Sequence, residues 1–293
     1  MAGEVAPTRR FGNGPSLNSL GDVASSTHSI ESAHGYWHAG AALWIVYEDD
    51  DYLVVDKPAG LLSQPGRTLR DSVHARVLDG IDGVSGPVLV HRLDMDTSGL
   101  MVLARHKAAH RHLQQQFERR KVVKRYRAVL EHEPAGRDGA IHLPLRLDVD
   151  NRPRQIVCKT HGKAATTLWS RRWPEPATTS PSADSLWNGP RAVSFIPLSG
   201  RTHQLRVHAA HPLGLDNPIL GDRLYGRREC ADAITGTGTG TGTGTEDDAT
   251  IARLYLHAEC LGFRHINGSQ LRLSSQPSTR NSRREPGDDR HNS

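Results

Sequence analysis

Residues 90–105, reading VHRLDMDTSGLMVLAR, restrict the architecture more than any other stretch of the chain. Apolar, partly β-branched runs at 87–90 and 100–104 bracket a polar HRLDMDTSG segment, which predicts a loop carried between two strands. Polar loops on a rigid scaffold are where reactive side chains collect. Asp94 stands in this loop with Arg92 two residues before it, and a carboxylate in a partly enclosed site needs cationic or donor partners to stay ionised. Thr97, Ser98 and Gly99 suit a tight turn with free backbone N–H groups. Locally, Asp94 has two readings: a reacting carboxylate, or one that only caps the turn or pairs with Arg92. Asp96 suits the capping role better.

The flanking pattern extends this beginning into a fold class. ALWIVYE and YLVVDKP flank Asp49, Asp50 and Asp51 as a β-hairpin. Short helices are expected at 72–78 and 202–210, and a longer one at 107–120 with Leu113 and Phe117 on its apolar side. Strands are expected at 122–130, 141–147, 164–169, 192–196 and 254–263. They outnumber the helices without alternating regularly with them, which favours a single α+β domain built on a mainly antiparallel mixed sheet.

At 293 residues the chain is long enough for one sizeable core. Residues 1–40 and 276–293 are polar, without apolar periodicity, and read as a disordered N-terminal extension and tail around a domain at 41–275. A Pro/Ser/Thr-rich stretch at about 174–190 and a segment at about 228–250, with its alternating Thr-Gly tract, read as loop insertions. The net charge of +5 fits a polyanionic partner. Cys158, Cys230 and Cys260 are odd in number and far apart, which indicates neither a disulfide framework nor a Cys-x-x-Cys metal site and suits a reducing compartment. His203, His208 and His211 lack Cys or Glu at ligand spacing, so no metal is expected. His106 and His110 read as exposed helix positions. No apolar run approaches a membrane span.

The HRLDxxTSGLxxxA pattern resembles the signature of RluA-type pseudouridine synthases. KRYRA at 124–128, GRTHQLRVH at 200–208, PILGD at 218–222 and LYLHA at 254–258 resemble further elements of that family, in its order, over roughly residues 43–275. NRPRQ at 151–155 is most similar to the bacterial RluA branch, which modifies ribosomal and transfer RNA.

The resemblance implies the pseudouridine synthase fold and an RNA substrate, with no cofactor. Uridine isomerisation breaks an N-glycosidic bond, turns the freed uracil and rejoins it through C5, without redox change or net hydrolysis. By resemblance, Asp94 would attack C1′ or take a proton from C2′, Arg206 would keep it charged and aimed, and Tyr126 would stack on the uracil. Arg92 would fill the space left by a flipped nucleotide or hold the backbone there, and Leu256 would line the base pocket. Lys124 and Arg125, with Arg119, Arg120 and Lys121, would track phosphates, joined by Arg201 and His203. The alternative is an RNA-binding or folding factor on the same fold without catalysis. A monomer is the default state, and the cytoplasm the expected compartment, with an organelle as second choice.

Overall fold

The computed structural model describes residues 35–171, 185–227 and 253–277. The N-terminal extension up to residue 34, most of the 174–190 insertion, the Thr-Gly tract, Cys230 and the tail from residue 278 lie outside the described residues. Strands β1 (Tyr36–His38), β2 (Leu43–Glu48) and β3 (Tyr52–Lys57) come first, followed by α1 (Val73–Gly80), β4 (Ser98–Ala104), α2 (Lys107–Glu118) and β5 (Val123–Val129). Then come β6 (Asp138–His142), β7 (Leu145–Leu147), β8 (Gln155–Val157), β9 (Thr166–Arg171), α3 (Ser185–Asn188), β10 (Ala192–Pro197), α4 (Gln204–Ala210), β11 (Leu256–Arg264) and β12 (Gln270–Ser274).

One sheet runs β1-β2-β3-β4-β11-β5-β10-β9-β6, with β12 also paired to β11, while β7 and β8 form a separate two-stranded arm. The β4–β11 pairing is parallel and the other pairings are antiparallel, giving the α+β architecture the sequence predicts. Both faces of its centre are covered. Leu53, Val55, Met101 and Leu103 meet Val73 and Val77 of α1 on one side; Tyr52, Val54, Leu100 and Val102 meet Ala109 and Leu113 of α2 on the other. A strand buried on both faces needs apolar residues at every position, which is why β3 and β4 read as continuous apolar runs. The β2–β3 turn is tied by Asp49, whose Oδ1 accepts from Asp51 N at 2.9 Å and Tyr52 N at 2.7 Å.

Several sequence expectations need correction. Residues 87–90 are not a strand: Leu89 makes an isolated bridge to Leu103, and the run opens on a proline that lacks the N–H for a ladder bond. Ser98 and Gly99 open β4 instead of forming a turn; the turn lies earlier, closed by Thr97 N donating to Asp94 O at 3.1 Å. The expected strand at 141–147 is divided between β6 and the β7 arm around Leu143 and Pro144. β1 lies ahead of the expected start at residue 41 and pairs with β2. His106 is not an exposed helix position but the N-cap of α2, accepting from Ala109 N, and the half-buried His110 bonds Leu89 O at 2.9 Å.

Gly99 answers a specific demand. Its φ is 109°, and a Cβ there would meet the backbone N and O of Ala258 at 2.5 Å, because β4 and β11 run side by side at this point. Gly99→Ala therefore adds backbone strain to overpacking, at about 2–6 kcal/mol. A thermal melt should show a loss of about 5–15 °C.

Candidate active site

The loop between His91 and Thr97 is held from outside at alternate residues, His91, Leu93 and Met95. His91 Nε2 accepts from Val102 N at 3.0 Å while its ring stacks on Phe117 at 4.7 Å. Ser63 binds Leu93 reciprocally, its Oγ donating to Leu93 O at 2.7 Å and accepting from Leu93 N at 3.0 Å. Met95 O accepts from Gly60 N and from Lys57 Nζ, each at 2.9 Å. Lys57 is fully buried and also donates to Pro58 O at 2.9 Å and Leu61 O at 2.8 Å, so three carbonyls take its three ammonium hydrogens. Burial pushes its pKa down to about 7, against the pull of the Asp96 and Asp94 charges. With the backbone tied on both sides, the Asp94 side chain projects 21% exposed. The turn beneath it is closed by the backbone carbonyl of Asp94, so its carboxylate is not the cap.

The opposite wall is α4 and the residues leading into it. Gln204 anchors this entry: its Oε1 accepts from Ser199 Oγ and Arg201 N, and its Nε2 donates to Thr166 O and Thr167 Oγ1. Every capacity of the buried amide is used, which fixes the direction of His203 and Arg206. Arg206 NH1 lies 4.0 Å from Asp94 Oδ2, and His203 Nε2 lies 3.9 Å from Asp94 Oδ1. The tighter partner of Arg206 is Asp222, a two-point pair at 2.8 Å and 2.6 Å. Burial opposes the guanidinium charge, but the hydrogen bonds and charge of Asp222, and then Asp94, outweigh it and hold the pKa above its usual value. Burial instead pushes the His203 pKa down, against the pull of Asp94. The cation facing Asp94 is therefore Arg206. Arg92, which sequence proximity suggested, is exposed and reaches Thr202 Oγ1 at 3.5 Å.

These walls enclose a cleft of about 950 Å³ whose lining includes Asp94, Tyr126, Leu256, His203 and Arg206. Tyr126 sits on β5 between Ala258 of β11 and Phe195 of β10 and packs against both adjoining core clusters. Burial, helped by the Asp94 charge, pushes its phenol well above the usual tyrosine range, so it stays neutral. Leu256 is buried at the cleft floor. Arg92, Arg120, Lys121, Lys124 and Arg201 give the cleft a cationic border. Burial lowers the Lys124 pKa, and Arg201 Nε donates to Ala164 O at 3.3 Å. Arg125 also lines the cleft, its Nε held by the buried Glu259 at 3.0 Å.

The structure thus brings Asp94, Tyr126, Arg206, His203 and Leu256 together and adds three residues to which the sequence reading gave no role: Lys57, Asp222 and Tyr225, whose hydroxyl lies 2.8 Å from His203 Nδ1. The available signals were a lysine ending an apolar strand and the acidic end of PILGD. Among the described residues, Asp49, Asp51 and His265 are grouped as metal ligands could be. However, His265 Nδ1 accepts from Asn267 N at 3.1 Å, so the ring hydrogen belongs on Nε2, which points at Asp49 Oδ2 at 2.8 Å. That nitrogen donates to Asp49 and pins two turns together.

A model of the RNA pseudouridylate synthase family matches residues 51–211, a span that includes Lys57, Asp94, Tyr126, His203 and Arg206. Over 225 residues the chain is 41% identical to the dual-specificity RNA pseudouridine synthase RluA of Escherichia coli K12, covering 76% of this chain and 87% of that protein. The chain belongs to the RNA pseudouridylate synthase family. The corresponding RluA of Pasteurella multocida is 38% identical over 238 residues, covering 80% of this chain and 92% of that protein. Human RNA pseudouridylate synthase domain containing 4 shares the fold with a TM-score of 0.55 at 26% identity, covering 79% and 87% of the two chains. Human RNA pseudouridylate synthase domain containing 1 gives 0.58 at 24% identity, covering 80% and 83%. This synthase is an isomerase of RNA uridines, as its relatives support.

Proposed function

We propose that this synthase isomerises specific uridines in ribosomal RNA, transfer RNA or both, with Asp94 as the reacting carboxylate. The observation that carries the reading is the placement of Asp94: it faces Arg206 and His203 at about 4 Å inside a cleft that Tyr126 also lines. In the reaction the N1–C1′ bond breaks, the uracil turns, a C5–C1′ bond forms, and the C5 hydrogen leaves as a proton while N1 gains one. Arg206 keeps Asp94 ionised and aimed, neutral Tyr126 stacks on the freed base, and Leu256 bounds its apolar side. Arg92, exposed at the mouth, holds the backbone where the nucleotide has flipped out. Both similar bacterial proteins are named dual-specificity enzymes, which supports a choice of more than one RNA here.

The catalytic unit on this reading is the domain expected at 41–275, extended by β1 and working as a monomer without a metal. No helix among the described residues is long and apolar enough to cross a membrane. The free Cys158 and Cys260 suit a reducing compartment, and we assign the cytoplasm. Because C5 loses its hydrogen, release of tritium from RNA labelled at C5 of uridine tests the chemistry directly. Release with the purified chain supports it, and RNA binding without release would favour a folding factor on the same fold.

The cationic border also sets a salt dependence. If four to five of its side chains each displace a counterion from single-stranded RNA, log K should fall against log salt with a slope of about −3. Filter binding or fluorescence anisotropy across a salt series reads that slope directly.

A further inference from the structure

We propose that Tyr225 is a positioning residue that fixes the tautomer of His203, so that the imidazole presents Nε2–H to Asp94; this rests on the reading of Asp94 as the reacting carboxylate. His203 caps α4 with a left-handed backbone, φ 52°, which turns its ring into the cleft between Tyr225 and Asp94. Its Nδ1 lies 2.8 Å from the Tyr225 hydroxyl, and its Nε2 lies 3.9 Å from Asp94 Oδ1. The same hydroxyl oxygen accepts from Gln155 N, the first residue of β8, at 2.7 Å. With that oxygen occupied by a backbone N–H, the phenolic hydrogen is the group left for Nδ1. An imidazole that accepts at Nδ1 and stays neutral carries its hydrogen on Nε2. The other tautomer would set two ring lone-pair and carboxylate edges against each other across the site.

Tyr225 itself is held firmly. Two guanidinium groups pack over its ring, Arg206 at 5.4 Å and Arg154 at 5.3 Å, and it meets the His203 ring nearly edge-on at 76°. Asp222 Oδ1, which accepts from Arg206, also accepts from Leu224 N at 2.9 Å and Tyr225 N at 3.1 Å. One turn therefore seats both groups that face Asp94: Arg206 through Asp222, and His203 through Tyr225. The result is a neutral donor beside the carboxylate, able to orient Asp94 or a ribose hydroxyl without competing with Asp94 for a proton. The Tyr225–Gln155 bond also ties this setting to the docking of the β7–β8 arm.

Tyr225→Phe in the full-length chain tests the proposal, since the ring keeps its guanidinium contacts and only the hydroxyl goes. The single-turnover rate should fall about tenfold, the worth of one hydrogen bond, with RNA affinity held within about twofold. Long-range ¹H–¹⁵N spectra, with the His203 signal assigned by its loss in His203→Gln, should show the hydrogen on Nε2 in the wild type and a mixture in Tyr225→Phe. Glutamine places an amide nitrogen near the Nε2 position and has no tautomer, so adding Tyr225→Phe to His203→Gln should cost less than about twofold. Hydrogen on Nδ1 in the wild type, an unchanged rate or tautomer in Tyr225→Phe, or the full loss in the glutamine background would overturn it. The spectra need no turnover, so failure of this proposal and failure of the Asp94 reading are told apart.

Discussion

Asp94→Asn should leave the fold and RNA binding intact and lower the single-turnover rate by about four orders of magnitude or more. The substitution preserves shape, and the loop is held through its backbone by Ser63, Lys57 and Gly60 and not through this carboxylate. Arg206 keeps its two-point pair with Asp222, so removing the Asp94 charge orphans no buried cation. An amide can neither attack C1′ nor take a proton from C2′, so both routes open to Asp94 close together. A melting temperature within about 2 °C of the wild type would confirm that the loss is chemical. A rate loss below about tenfold would remove Asp94 from the reaction.

Asp222→Ala should lower stability and activity together. The Asp222 side chain is fully buried and that of Arg206 is 3% exposed, so the substitution strands a guanidinium in the interior together with the N–H groups of Leu224 and Tyr225. Breaking a buried pair from one side costs about 3–5 kcal/mol, or a fall of about 10 °C in melting temperature for a domain of this size. Activity should fall as well. Asp94 is the other carboxylate within 4.0 Å of Arg206, and a guanidinium released from Asp222 would close on it and tie up the reacting oxygens. Replacing both partners, as Arg206→Met with Asp222→Leu, should recover most of the stability and none of the activity, which separates the two contributions. Calorimetry and tritium release on the three proteins read both effects, and a stability loss under about 1 kcal/mol for Asp222→Ala would contradict the geometry.

Much of this was legible in the chain because it rested on local pattern. The apolar runs of β3 and β4 announce strands, and the polar insert before β4 announces the loop that carries Asp94. What stayed hidden depended on contacts across long stretches of sequence. In sequence Lys57 only marks the end of a strand, and one of the carbonyls that hold it belongs to Met95, 38 residues on. Local pattern offers Arg92 as the nearest cation to Asp94; only the family resemblance pointed to Arg206, which is the one that faces it in space. Residues 87–90 have strand composition but lack a ladder partner beyond one bridge to Leu103. β8 and the tip of its arm are too short to show a period, although the Tyr225 hydroxyl is bonded by Gln155 N at its start.

The central claim is that this chain makes pseudouridine with the Asp94 carboxylate, and a pseudouridine map of total RNA tests it most directly. Cells carrying the wild-type protein would be compared with cells carrying only Asp94→Asn, at matched protein levels. On the proposed reading, pseudouridine is lost at one or a few defined positions in ribosomal or transfer RNA. An unchanged map, with the variant expressed and bound to RNA, would contradict it.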